Sequence, residues 1–471
     1  MNKIATNTIY YSIGEIVPKI IGFIMLPIYT RYLSPSDYGI IAYTNSVVLF
    51  LFLFGNFCLN TYALRFYYVH KDDKERRQML GSINIAILAL NTIILGLSFL
   101  IMPKVISEFN IQISWDPFFK LAIINNFLNC LSTVPSIIYR MRQEALKFMI
   151  LGVSRTLLIV FLTVYFVVYK KSGVVGTFDA HLYVYIVYAL VYILIMRKYA
   201  SYSFVKKYLI EGLKFSLPLL PGTLCYIMLN MSDRVILERN VGINELGIYN
   251  VASTMSLALN IVIQSGYKSF EPEFFKRYGE DGYFDYVKKV KSIFFFLIFI
   301  CALCISLFSQ EVFYFMTSEA FHEGYILVPA IITGVMFSGQ NIIYQGILQG
   351  EKRTKVQGMA TIIGAIISVT SNLLLVPIWG TFAAAFSMGV SFVVMNIILF
   401  TKMTFPNKSM YNELILVAIM LSISYGIFWM FDSISFGGIC AKFICLIIYG
   451  IISARLFRVD LKTILFGVIR K

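Results

Sequence analysis

Uncharged apolar runs of 17 or more residues recur from one end of this chain to the other. A helix needs ~20 apolar residues to cross the ~30 Å hydrocarbon core of a bilayer. Lipid offers backbone N–H and C=O groups no partner, so only helices and closed barrels span it. These runs are too long and too uniformly apolar for barrel strands, which alternate lipid-facing and lumen-facing residues. Of the 471 residues, 58% are hydrophobic and only 14% are charged. The chain therefore reads as an all-α, polytopic membrane protein.

Fourteen spans are expected, over residues 8–30, 38–64, 81–102, 121–139, 148–168, 179–196, 215–232, 246–267, 292–308, 324–349, 356–376, 380–400, 414–430 and 436–452. The sixth is short, and the fourteenth contains Lys442. With the N-terminus inside, thirty of the forty Lys and Arg residues fall in inner segments and seven in outer ones. Lys19, Arg155 and Arg234 fall within spans or at their edges. By the positive-inside rule, both termini face the cytoplasm. The net charge of +15 is thus concentrated in short loops, which argues against nucleic acid as a partner. Outer loops are short, so no soluble domain is expected. The N-terminus enters its first apolar run without a small-residue cleavage site, so no signal peptide is expected. Cys301 and Cys304 have CxxC spacing, but they sit inside a span with no His nearby. Apolar packing, not a metal site, is their expected role.

The chain also repeats itself. Arg31-Tyr32-Leu33-Ser34-Pro35-Ser36-Asp37-Tyr38-Gly39-Ile40 aligns with Arg239-Asn240-Val241-Gly242-Ile243-Asn244-Glu245-Leu246-Gly247-Ile248 at an offset of 208. Gly176-Thr177-Phe178 aligns with Gly380-Thr381-Phe382 at an offset of 204. The matches divide the chain into a six-helix lobe at 1–205, a second at 206–405, and a final helix pair with a cytoplasmic tail at 406–471. Six is even, so both lobes enter from the same side, giving a parallel repeat of the kind found in alternating-access transporters.

Three segments carry a resemblance to a known family. Thr30–Tyr43, Ser232–Ser253 and Gly350–Phe392 resemble the multidrug/oligosaccharidyl-lipid/polysaccharide (MOP) flippase superfamily, specifically its Wzx-type polysaccharide (O-antigen) flippases. The resemblance implies a MATE-like, V-shaped pair of lobes around a central cavity in a bacterial inner membrane. It implies as cargo an undecaprenyl-pyrophosphate-linked oligosaccharide, such as a lipopolysaccharide repeat, moved to the periplasmic leaflet. It also implies a polysaccharide polymerase and a chain-length regulator as partners, alongside membrane lipids. Pro18–Met25 is similar to the first helix of lipid II flippases, with Lys19 at a matching cationic position. Met25 replaces a second Arg there, which argues against identical cargo.

Such a cargo needs cations, hydroxyls and amides inside the membrane, because desolvating phosphates in hydrocarbon is prohibitive. The candidate substrate-binding residues are Lys19, Arg155, Tyr185, Tyr188, Gln340, Asn341 and Tyr344. A mid-membrane Lys costs ~2.5–3.5 kcal/mol on insertion scales and should face the bundle interior, water or a partner. Glu15, one turn before Lys19, offers a structural ion pair or a coupling site for a proton or sodium ion. Arg155 is expected near the cytoplasmic third of the fifth span, meeting phosphate or snorkelling to the surface. Tyr185, Tyr188 and Tyr192 share one helical face, suited to sugar stacking or to packing. Gln340, Asn341, Tyr344 and Gln345 form a polar patch suited to cavity lining or to hydrogen bonding between helices. Asp233 and Arg234, with Glu238 nearby, are candidates for coupling or gating, or for an interfacial network. Pro18, Pro27, Pro218 and Pro221 interrupt corresponding first and seventh helices.

No catalytic residues, metal or cofactor are expected, with a proton or a sodium ion as the coupling alternatives. A cation-coupled drug exporter of the same superfamily is the rival reading, and it should place acidic residues in the spans. A membrane polymerase or ligase would need a large reactive outer loop, and the longest outer segment, 103–120, is too short. No nucleotide-binding motif is present.

Overall fold

The computed structural model describes residues 3–404 and 410–459, and all regular structure in them is helical. The tail after 459, which contributed to the inner charge count, lies outside the described residues.

Eighteen α-helices follow one another: α1 Lys3–Ile24, α2 Leu26–Tyr32, α3 Pro35–Asn56, α4 Leu59–Phe66, α5 Asp73–Glu108, α6 Lys120–Cys130, α7 Thr133–Met141, α8 Ala145–Val164, α9 Gly173–Tyr199, α10 Lys206–Ser216, α11 Leu220–Asn240, α12 Ile243–Lys276, α13 Tyr283–Leu307, α14 Ser309–Met316, α15 Val328–Gly350, α16 Thr354–Lys402, α17 Tyr411–Met430 and α18 Phe436–Leu456. Large apolar side chains such as Leu100, Phe161, Leu190, Leu374 and Trp429 are exposed along them. Such exposure is stable in lipid, where apolar contact with acyl chains replaces a protein core.

Twelve helices or continuous helical stretches are long and apolar enough to cross a membrane, and thirteen if α1 and α2 are taken as one bent span. The bend is 42° at Met25, just before Pro27. The expected fourteen are not reached by this count because α16 runs through 49 residues. At 1.5 Å per residue that is ~74 Å, more than twice the hydrocarbon thickness. Gly380, at φ 57° and ψ −135°, breaks it between the two spans expected there. The sixth span is longer than expected, since α9 contains 27 residues and accommodates Asp179 within them.

The helices form two compact units. Unit 1 comprises Met1–Ile227 with Gly242–Gly247, and unit 2 comprises Met228–Val241 with Ile248–Lys471. In unit 1, α1 packs on α8, α6 on α9, α3 on α5 and α8 on α9. In unit 2, α15 packs on α16, and α13 packs on α15, α17 and α18.

The 208-residue repeat has a physical meaning inside unit 1. Ser34 caps α3 by a capping box, its Oγ accepting from Asp37 N at 3.3 Å while Asp37 Oδ2 accepts from Ser34 N at 2.9 Å. Pro35 then occupies the first helical turn, where no N–H is needed. The short start of α12 meets this cap reciprocally. Gly39 lies against the Ile243 carbonyl oxygen, and Gly247 lies against the Pro35 carbonyl oxygen. Ser36 Oγ is hydrogen-bonded to Asn244 Oδ1, its own repeat equivalent. A residue touching its equivalent, flanked by exchanged contacts, marks a local two-fold relation. The second match carries less. Gly176 is buried inside α9, and it is Gly173 (φ 58°) that shares the left-handed backbone of Gly380.

Lys442 explains how a span tolerates an amine. It is 1% exposed, and its Nζ donates to Glu311 Oε1 at 2.7 Å, Glu311 Oε2 at 2.9 Å and Gln310 Oε1 at 3.2 Å. Gln310 in turn donates to the Phe431 and Asp432 carbonyls at 3.3 and 3.2 Å. Removing one partner of a buried pair leaves an uncompensated charge, at a cost of ~3–5 kcal/mol. Lys442→Met should therefore destabilise by about that amount, whereas Lys442→Met with Glu311→Leu should recover most of it. Thermal unfolding in detergent micelles checks this, with a non-additive double mutant as the expected outcome.

Candidate functional site

Unit 1 encloses a cavity of about 500 Å³ walled by α1, α2, α3, α6, α8 and α9. Its wall is mostly apolar, with polar groups converging from five helices: Tyr29 on α2, Tyr38 and Asn45 on α3, Asn125, Asn126 and Asn129 on α6, Thr156 and Thr163 on α8, and Thr177, His181 and Tyr185 on α9. Pro18 and Gly22 supply the α1 side, where a small residue and a missing backbone N–H leave room.

Arg155 stands at the rim. It is the eleventh residue of the 25-residue stretch Ala145–Tyr169, a little beyond the first third of the span. Its Nη1 donates to Asn129 Oδ1 at 3.2 Å and to Tyr192 OH at 3.3 Å, and its guanidinium lies 5.9 Å from the centre of the Tyr185 ring. Two neutral acceptors and one π face orient the cation without neutralising it. Among the described residues, no carboxylate pairs with it and none lines the cavity. His181 Nδ1 donates to Thr177 O at 2.7 Å, which leaves Nε2 as its acceptor. Asn125 donates to Phe178 O at 2.9 Å, and its Oδ1 is buried without a partner.

The sequence-derived candidates of unit 1 separate into three groups. Arg155 and Tyr185 meet at this cavity. Tyr188 and Tyr192 share their face of α9 but are 6% and 3% exposed. Tyr188 bonds Ser154 at 2.7 Å and Tyr192 holds Arg155, so both build the frame behind the cation. Lys19 is exposed beside Pro18 and is not part of the wall.

The α15 patch lies inside unit 2, apart from this cavity. Gln340 and Tyr344 are 0% exposed and Asn341 is 3% exposed. Asn341 Nδ2 donates to Asn396 Oδ1 at 2.9 Å, and Asn396 Nδ2 donates to Phe337 O at 2.9 Å, tying α15 to α16. Gln345 donates to Asn341 Oδ1 at 2.6 Å. Tyr344 packs with Phe295 and Phe400 around the Lys291 ammonium, which pairs with Glu413 at 3.5 Å. Asn341 thus hydrogen-bonds helix to helix, whereas both amide atoms of Gln340 and the Tyr344 hydroxyl are buried without a hydrogen-bond partner. Asp233 and Arg234 form a buried network in the same unit. Arg234 Nη1 donates to Asp233 Oδ1 and Asn230 O, each at 2.9 Å, and Tyr249 OH donates to Asp233 Oδ2 at 2.6 Å.

The asparagines of α6 and His181 escaped the sequence reading. Asn125 and Asn129 are four residues apart in an otherwise apolar run, a spacing that puts both on one face.

The sequence profile described as polysaccharide biosynthesis protein matches residues 4–270, more than half of the chain. The chain belongs to that family. No curated protein sequence matches it. Among solved structures, it is similar to the lipid II flippase MurJ in an inward closed conformation, with a TM-score of 0.75 at 16% identity, over 96% of this chain and 99% of that one. An inward-facing multidrug resistance MATE transporter of the MOP superfamily gives 0.63 at 15% identity, over 88% and 98%. A MOP superfamily transporter from Pyrococcus furiosus gives 0.55 at 15%, over 90% and 95%. The fold is that of the MOP superfamily, and this family member is a multi-pass membrane protein.

Proposed function

We propose that the chain is a flippase carrying an undecaprenyl-pyrophosphate-linked oligosaccharide, such as an O-antigen repeat, from the cytoplasmic to the periplasmic leaflet by alternating access. The observation that carries the reading is the unneutralised Arg155 at a cavity whose polar lining is all amide, hydroxyl, phenol and imidazole. A fixed cation attracts a pyrophosphate. At ~4 Å and an effective dielectric of ~20, one charge pair is worth ~4 kcal/mol before desolvation. Amides and phenols suit sugar hydroxyls and ring faces. A cation-coupled drug exporter would need the opposite polarity, a carboxylate facing the cargo, and none lines this wall among the described residues.

Lys19 is the second cation in this reading, and its exposure leaves it open to an anionic headgroup. Glu15, Asp233 and Arg234 are proposed as coupling or gating groups for a proton or sodium ion. Lys19→Ala should abolish flipping while membrane insertion stays normal, and Lys19→Arg should retain activity. Undiminished transport by Lys19→Ala would remove it from the mechanism.

Deletion of the gene followed by analysis of lipid-linked intermediates tests the reading itself. Undecaprenyl-linked units should accumulate on the cytoplasmic leaflet. Unchanged intermediates together with new drug sensitivity would favour the exporter.

A further inference from the structure

Two more cavities of unit 1 meet at Lys198 and Tyr199. One, of about 180 Å³, is lined by Arg76, Arg77, Arg142 and Lys198 against a single carboxylate, Asp73. The other, of about 580 Å³, runs between α8 and α9 and is walled by Ile150, Leu151, Val191, Leu194 and Ile195, with Lys147 at its polar end. Ile150 and Leu194 are exposed, so this groove opens sideways. The cations all belong to inner segments, which sets the basic pocket at the level of cytoplasmic headgroups.

Part of the charge is already engaged. Arg142 Nε donates to Glu144 Oε1 at 2.9 Å, and Lys147 donates to Glu144 Oε2 at 2.5 Å. Burial alone would raise the Glu144 carboxyl, but these two bonds outweigh it and hold the group below the usual carboxylate range. Arg76 Nε donates to His70 O at 2.6 Å, which uses a hydrogen bond but leaves the charge. Arg77 and Lys198 form no ion pair among the described residues, although Lys198 lies 5.4 Å from the centre of the Tyr199 ring. A surplus of positive charge therefore sits at the head of an apolar slot.

We infer that this is a binding site for an anionic phospholipid of the cytoplasmic leaflet. Its phosphate would lie against Arg76, Arg77 and Lys198, and one acyl chain would follow the α8–α9 groove. Charge complementarity selects the headgroup, since basic pockets between spanning helices on this side suit anionic lipids. The groove selects a lipid over a free phosphate. It ends at Ser154 and Tyr188, the hydrogen-bonded pair next to Arg155, so an occupied groove would buttress the helix faces that aim the cation. The inference does not depend on the cargo proposed above.

The full-length protein, delipidated in detergent, should retain phosphatidylglycerol at least tenfold more tightly than phosphatidylcholine by native mass spectrometry. Arg77→Gln with Lys198→Gln should weaken phosphatidylglycerol roughly 25-fold, about fivefold for each ~1 kcal/mol cation, and leave phosphatidylcholine unchanged. Should that variant fail to fold, the wild type carries the test, because its phosphatidylglycerol retention must fall steeply between low and high salt. Equal retention of the two lipids, or salt-independent binding, overturns the site. So does displacement of phosphatidylglycerol by inorganic phosphate, which would mark a free-anion site. Tighter binding of undecaprenyl pyrophosphate, lost in the same variant, would assign the pocket to cargo and overturn the phospholipid.

Discussion

Arg155→Gln should reduce flipping on the order of 10- to 100-fold, the range expected for losing one charge-assisted contact of ~1.5–3 kcal/mol. The guanidinium does two things in the structure: it offers a positive charge to the cavity, and it bridges Asn129 on α6 to Tyr192 on α9. The two roles separate experimentally. Arg155→Lys keeps the charge but loses the planar guanidinium whose Nη1 reaches both acceptors and which lies by the Tyr185 ring, so it should unfold earlier than wild type yet transport better than Arg155→Gln. Transport is measured as conversion of lipid-linked intermediates, and stability as thermal unfolding of the purified protein. An Arg155→Gln protein that flips at the wild-type rate would remove the cation from cargo recognition.

Gly247→Ala and Gly39→Ala should each be severe. A Cβ on Gly247 would lie 1.8 Å from the Pro35 carbonyl oxygen, and one on Gly39 would lie 2.1 Å from the Ile243 carbonyl oxygen. Both obstacles are backbone, so no rotamer change relieves them and the two helix starts must move apart. Overpacking of this kind costs typically 1–3 kcal/mol, and the distances place these changes at or above the top of that range. The exchange is reciprocal, so the two variants should resemble each other in unfolding temperature and in transport loss. Gly96→Ala is the matched control: nothing lies within 4 Å of its Cβ, and alanine favours a helix. It should be neutral or slightly stabilising.

These two sites differ in how much of them could be read from the amino-acid order. The glycine pair was visible as a repeat, because a tight turn and a helix start leave local signatures: Ser34-Pro35-Ser36-Asp37 spells a capping box. Spans were legible from apolar runs, since lipid imposes its thickness on every one of them. The boundary between the eleventh and twelfth spans was legible from Gly380, although the backbone there stays helical on both sides and so reads as one long element. Polar side chains inside the membrane were harder. Arg155 and Tyr185 could be nominated because cations and tyrosines are rare or periodic in spans. Asn129, which Arg155 bonds, comes from α6, and only the packing of both α6 and α8 on α9 brings it to the α8 cation. Gln340, Asn341 and Tyr344 show the converse: a polar stripe in an apolar run has the same appearance whether it faces a cavity or another helix. The facing element decides, and for Asn341 it is α16 carrying Asn396.

The Lys442–Glu311 pair also bears on how the protein is made. Glu311 precedes Lys442 by 131 residues, so in synthesis from the N-terminus the acid reaches the bilayer well before its counter-ion exists. α18 alone would carry an amine that lipid resists by ~2.5–3.5 kcal/mol. It becomes a comfortable membrane segment only when α14 is already present to receive it. The insertion of α18 is therefore conditional on an earlier helix, and a chain that misplaces α14 should leave α18 stranded outside the bilayer, a late checkpoint on biogenesis.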